Sequence, residues 1–139
     1  MPVITASLSI NTRGFTDIHD ITRELLGLVE QSGLKNGTLT VFCPSSTSGL
    51  TTVEFEPGAL ADLKRMFEEL IPSNREYAHN ATWGDGNGYS HMRASLLGAS
   101  LTVPFVEREL TLGAWQQVIY VDFDVRPRSR ELVVQMVGE

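Results

Sequence analysis

Strand-like alternation occupies both ends of this chain, and the stretches with helical periodicity lie between them. Val3-Ile-Thr-Ala-Ser-Leu-Ser-Ile-Asn11 opens with alternating apolar and polar residues. Gln116–Asp124 and Glu131–Val137 close the chain in the same way. Period-two patterns bury one face of a sheet, and helices segregated in the middle must cover such a face. The order excludes a regular βαβ alternation and predicts an α+β fold. At 139 residues it should form a single compact domain over 1–139, with a mixed or antiparallel sheet, two main helices and one short helix.

After a turn at Asn11–Gly14, Thr16 or Asp17 is placed to cap a helix carrying Ile18, Ile21, Leu25, Leu28 and Val29 on one face. Gly33 supplies its C-terminal stop. Thr38–Cys43 reads as a central strand, and Leu50–Phe55 as a second extended piece beyond Pro44–Gly49. Pro57 fits the first turn of a helix with Leu60, Leu63, Phe67, Leu70 and Ile71 as its buried stripe, stopped by Pro72. Asn87 or Ser90 would cap a short helix through Leu97, followed by strands at Leu101–Val103 and Leu110–Leu112.

The net charge of -6 argues against sequence-independent nucleic-acid binding, which depends on Lys and Arg neutralising phosphates. Cys43 is the only cysteine, so no intrachain disulfide forms, which suits a reducing cytoplasm; its apolar setting reads as buried filler. No apolar run approaches the roughly 20 residues that cross a bilayer, and the N-terminus has no signal-peptide pattern.

The chemistry concentrates between Tyr77 and Arg93, where His79 and His91 bracket Asn80, Trp83, Asp85 and Asn87 on a backbone loosened by Gly84, Gly86 and Gly88. The glycine spacing does not match a dinucleotide-binding loop. An EF-hand loop is excluded because Trp83 and Ala94 stand where oxygen ligands are needed. Two imidazoles with a carboxylate can hold Zn²⁺ or a similar ion, and Glu54, Asp85 and Asp62 are the candidate carboxylates. The same histidines equally suit acid/base catalysis or a phosphate contact. In the first turn of the short helix, His91 would be biased towards the neutral ring. His19, in a polar setting beside Asp17 and Asp20, reads as a surface residue. The hydroxyl run Ser45–Ser48 is either a solvated turn or an anion pocket. Arg126, Arg128 and Arg130 suit a phosphate, a subunit contact or plain solvent.

Read together, Ser48–Glu54, Asp62, Pro72, Tyr77-Ala-His79, Ser90-His91, Leu96–Gly98, Leu112–Gln116, Arg126–Arg130 and Val137-Gly138 resemble the YjbQ-like family, that of secondary thiamine-phosphate synthases. The resemblance implies a homotrimer with polar clefts near subunit contacts. It implies a weak activity coupling hydroxymethylpyrimidine pyrophosphate to thiazole phosphate with release of pyrophosphate. Two positions depart from the pattern: Ser45 or Ser46 stands where many members carry a further histidine, and Ala114 replaces a threonine. The residues and the resemblance together nominate His79, His91, Asp85 and Asn87 as catalytic. Ser46, Thr47, Ser48, Asn80, Trp115, Gln116 and Arg128 are the nominated substrate contacts, with His79, His91 and Glu54 as metal ligands. A divalent metal (Zn or Mg) and a small phosphorylated metabolite are expected, with no organic cofactor, nucleic acid or membrane. A non-catalytic metal- or anion-binding trimer and a metal-dependent hydrolase are the alternatives.

Overall fold

The structure, a computed structural model, describes residues 1–139. Its strands are β1 (Val3–Thr12), β2 (Asp17–Asp20), β3 (Gly37–Phe42), β4 (Ser48–Val53), β5 (Ser100–Val106), β6 (Glu109–Leu110), β7 (Gln117–Asp122) and β8 (Arg128–Gly138). The helices are α1 (Thr22–Ser32), α2 (Pro57–Leu70), α3 (Ala78–Trp83) and α4 (Gly88–Leu97). Five strands form one sheet in the order β1-β8-β3-β5-β6, and three form a second in the order β2-β7-β4. Every pairing is antiparallel. The fold is therefore α+β, with four helices where the sequence suggests three.

The two ends of the chain meet: β1 runs beside β8 from Val3 opposite Val137 to Thr12 opposite Arg128. Alternation then sends Leu132, Val134 and Met136 inward with Leu39, Val41, Val103 and Phe105. Val118, Tyr120 and Leu50 meet them from the smaller sheet, and α1 adds Leu25 and Val29. The opposite face of β7 buries Ile119 and Val121, with Phe123 beyond it, against Phe67 of α2 and Ala94 of α4. Strand β7 is thus buried on both faces, where its reading as an alternating strand implied one, because α2 and α4 cover the side turned away from the first core. Deleting one of these side chains, Leu25→Ala for example, costs about 2–5 kcal/mol.

One boundary differs from the sequence reading. Asp17–Asp20 is not the first turn of a helix but strand β2, paired with Asp122 back to Ile119. Gly14, Phe15 and Thr16 all take left-handed backbone, with φ of 78°, 56° and 63°, and turn the chain back onto the sheet. Ile18 then packs into the second core and Ile21 into the first, so their three-residue spacing mimics a helix face without being one.

Candidate functional site

The loop after β3, the α3–α4 region and the β7–β8 connection surround a polar hollow of about 490 Å³. Its lining includes Ser45, Ser46, Thr47, His79, Trp83, Asp85, Asn87, His91, Asp124, Arg128 and Arg130. The floor is an ion network. Arg130 donates from Nε to Asp122 Oδ2 (2.8 Å) and from Nη2 to Asp122 Oδ1 (3.1 Å) and Thr47 Oγ1 (2.9 Å). Thr12 and the Asp124 amide complete the shell of Asp122, which has no solvent exposure. Asp124 Oδ2 accepts from Thr47 (2.9 Å) and from Arg128 Nη2 (3.1 Å). Burial pushes the Asp124 carboxyl up, but the Thr47 hydroxyl and the Arg128 guanidinium outweigh it and hold it below the usual carboxylate range.

The walls are set by local sequence. Gly84 and Gly86, both with φ +64°, let the chain leave α3 and re-enter α4 within a few residues. Asp85 Oδ1 accepts from the Asn87 amide at 3.1 Å to close that turn. A Cβ on Gly88 would meet Tyr77 Cβ at 2.5 Å, so only glycine lets α4 start this close to α3. His79 and His91 consequently face each other, ring centroids 4.2 Å apart and tilted by 38°. His79 Nδ1 lies 3.5 Å from Asp85 Oδ1. Burial lowers the pKa of His91 and the neighbouring His79 lowers it further, so its ring is neutral at pH 7.

Four buried side-chain polar atoms in the chain have no hydrogen-bond partner: His79 Nδ1, Asn87 Oδ1, Asp124 Oδ1 and Arg128 Nε. All four belong to residues lining this hollow. Buried polar groups are nearly always paired, so four open ones in one place make this hollow the candidate site.

Of the residues nominated from sequence, His79, His91, Asp85, Asn87, Ser46, Thr47 and Arg128 line the hollow. The others do not. Ser48 is buried inside β4, where its Oγ accepts from the Tyr120 hydroxyl (2.8 Å), whose own pKa burial pushes up to about 12. Asn80 accepts from the Gly88 amide (2.9 Å) and so clasps α3 to α4 instead of facing a ligand. Trp115, 75 % exposed, borders a separate depression with Glu54 and Phe55. Gln116 is tied to Thr52 and Gly113 beside a wider hollow of about 530 Å³ that carries none of the unpartnered atoms. Asp62 pairs with Arg65 on the exposed face of α2, and His19 pairs with Asp17 outside the site.

A His79–His91–Glu54 metal triad is therefore not assembled, because Glu54 follows β4 and lines another depression. No three His, Cys, Asp or Glu side chains converge as a metal-binding group anywhere in the chain. The donor set does not fit a resident divalent ion. Sequence reasoning missed Asp124, and it left Arg130 as one of three arginines suited to a phosphate, a subunit contact or solvent. The signal was in the spacing: two aspartates two residues apart end an apolar strand, and arginines at the same spacing follow at 128 and 130.

The fold and site define a small α+β protein of two antiparallel sheets with a histidine-paired, Arg/Asp-floored hollow. No helix is long and apolar enough to cross a membrane. The family model described as "UPF0047 protein YjbQ-like" matches residues 6–139, and the chain belongs to this family. A UPF0047 protein of Methanothermobacter thermautotrophicus is 39% identical over 139 residues, covering 100% of this chain and 95% of that one. YugU of Bacillus subtilis is 33% identical over 133 residues, 95% of this chain and 98% of its own. Among solved structures, a YbjQ-like protein of unknown function from Sulfolobus solfataricus superposes with a TM-score of 0.93 at 30% identity, covering 99% of each chain.

Proposed function

We propose that the hollow binds a small phosphorylated metabolite and that His79 and His91 handle a proton on it. The convergence of all four unpartnered buried atoms on the hollow carries this reading. Arg128 offers an open N–H to an anionic oxygen, Ser46 adds a hydroxyl, and neutral His91 can accept a proton.

The family resemblance makes the reaction specific: coupling of hydroxymethylpyrimidine pyrophosphate to thiazole phosphate, as a secondary activity. The thiazole nitrogen forms a C–N bond to the pyrimidine methylene carbon while the C–O bond to pyrophosphate breaks. Pyrophosphate leaves with the electron pair, and cationic groups at the departing oxygens lower the barrier. In this reading Arg128 and an imidazole that has taken up a proton fill that role. A divalent ion arrives with the pyrophosphate as part of the substrate, since the side chains offer it no site of their own. A hydrolase built on metal-activated water finds less support, for the same shortage of donors.

Assembly as a homotrimer is supported by the outer face of the larger sheet. Glu131 is the only charged residue among those pointing outward along β1, β3, β5 and β8, where Phe42 and Val133 sit opposite each other. A water-facing sheet would carry more charge. The reading places the protein in the cytoplasm, in keeping with a lone, buried cysteine.

The test is pyrophosphate release from the two precursors. Wild-type protein should turn over, and His79→Ala and His91→Ala should lose the activity with circular dichroism unchanged. Binding of pyrophosphate without turnover would leave a non-catalytic anion-binding protein. Neither binding nor turnover removes the reading. Light scattering should report a trimer, and Val133→Lys should lower the mass.

A further inference from the structure

We infer that the open edge of β1 takes an added strand from another protein: an extended segment carrying Lys or Arg among alternating apolar residues. The inference is independent of the polar hollow.

Strand β1 ends the larger sheet, so only one of its sides is paired. The Gly138 amide donates to the Pro2 carbonyl, which sets the parity of the β1–β8 ladder. Even-numbered residues of β1 bond β8, and Val3, Thr5, Ser7, Ser9 and Asn11 turn their backbone N–H and C=O groups to the open side. The far side of β8 agrees with this parity, since Glu139 exchanges both backbone bonds with Asn36 (3.0 and 2.9 Å). No turn or loop supplies the five outward residues with a backbone partner. Native proteins blunt such an edge with a short strand, a charge, a proline or a bulge. Strand β1 pairs over ten residues without interruption, and Val3–Thr12 contains no charge and no proline. A long, regular, uncharged edge is what strand addition needs.

The surface beside the edge decides the partner. A groove of about 260 Å³ runs along Leu8, Ile10 and Asn11 and is bounded by His19, Asp20 and Glu24. No Lys or Arg lines it. Two carboxylates next to an apolar strand call for a cation on the incoming segment. A second copy of this chain does not supply one. The strands that end the two sheets elsewhere, β2, β4 and β6, contain neither Lys nor Arg, and neither does β5 beside β6. The occupant is therefore a different chain, held by backbone bonds along β1 and by its cation at Asp20 and Glu24.

Hydrogen exchange by NMR tests the open edge first. In free protein the amides of Thr5, Ser7 and Ser9 should exchange fast, while those of Ala6, Leu8 and Ile10 are protected. Protection of both sets would mean that another copy already covers the edge, and would overturn the inference. The probe is a capped, soluble peptide in which valine alternates with threonine and lysine. Its binding should slow exchange at Thr5, Ser7 and Ser9. The same peptide with glutamate for lysine should bind at least about fivefold more weakly, and Glu24→Lys should reverse that order. Ser7→Pro removes an outward N–H without touching the β8 ladder, so it should abolish binding with circular dichroism unchanged. If Ser7→Pro does not fold, the exchange pattern and Glu24→Lys decide. No binding of the lysine peptide, binding that leaves the three outward amides unchanged, or equal affinity for both peptides overturns the inference.

Discussion

Replacing Arg130 with methionine tests the floor of the site most severely. The substitution removes three hydrogen bonds, two of them to a carboxylate with no access to water. Asp122 would keep only the Thr12 hydroxyl and the Asp124 amide. Breaking a buried pair in this way costs about 3–5 kcal/mol, since the surviving charge is uncompensated. With a urea slope of about 2 kcal/mol per molar, the unfolding midpoint should fall by about 2 M. Adding Asp122→Asn removes the stranded charge and should recover about 2 kcal/mol at pH 7. A midpoint change below about 0.5 M, or a double variant no better than the single one, would refute the reasoning.

Other consequences are quicker to check. The His91 ring should titrate below 6.5 by NMR, and His79→Gln should move that midpoint upward by removing a neighbouring charge. The sign for stability follows: below about 6.5 the unfolded ring takes up its proton first, so stability falls as pH drops through that range. Gly88→Ala should cost about 1–3 kcal/mol, seen as a lower Tm, because its Cβ would lie 2.5 Å from Tyr77 Cβ. Cys43 is buried and its thiol pushed up by that burial, so iodoacetamide should leave it unmodified in native protein and label it only on unfolding.

Much of the fold was legible because burial patterns are local. The alternation of Glu131–Val137 follows from side-chain period. The expected stripe of α2 held only in part, since Phe67 alone is buried and Leu70 is exposed, and β7, read as alternating, is buried on both faces. Asp17–Asp20 was misread because Ile18 and Ile21 serve two cores, a fact of tertiary packing that three-residue spacing cannot reveal. Within the site, His79, Asp85, Asn87 and His91 are near neighbours in sequence, so their grouping was visible. Asp124, Thr47, Arg128 and Arg130 come together only because β4, β7 and β8 bring distant segments alongside one another. Glu54 and Trp115 failed as site residues for the converse reason: motif membership says nothing of which end of a strand a side chain occupies.

Two parts of one network differ in how fully their hydrogen bonds are met. Asp122 and Arg130 satisfy each other and their neighbours, so they bind nothing and hold the floor. One step outward, Asp124 and Arg128 are satisfied on one side only, each with a buried atom left open. Leaving a buried polar atom unpaired costs about 1–3 kcal/mol when dry, so in solution water must occupy these positions. A ligand that displaces such water keeps its affinity only by reproducing the lost hydrogen bonds.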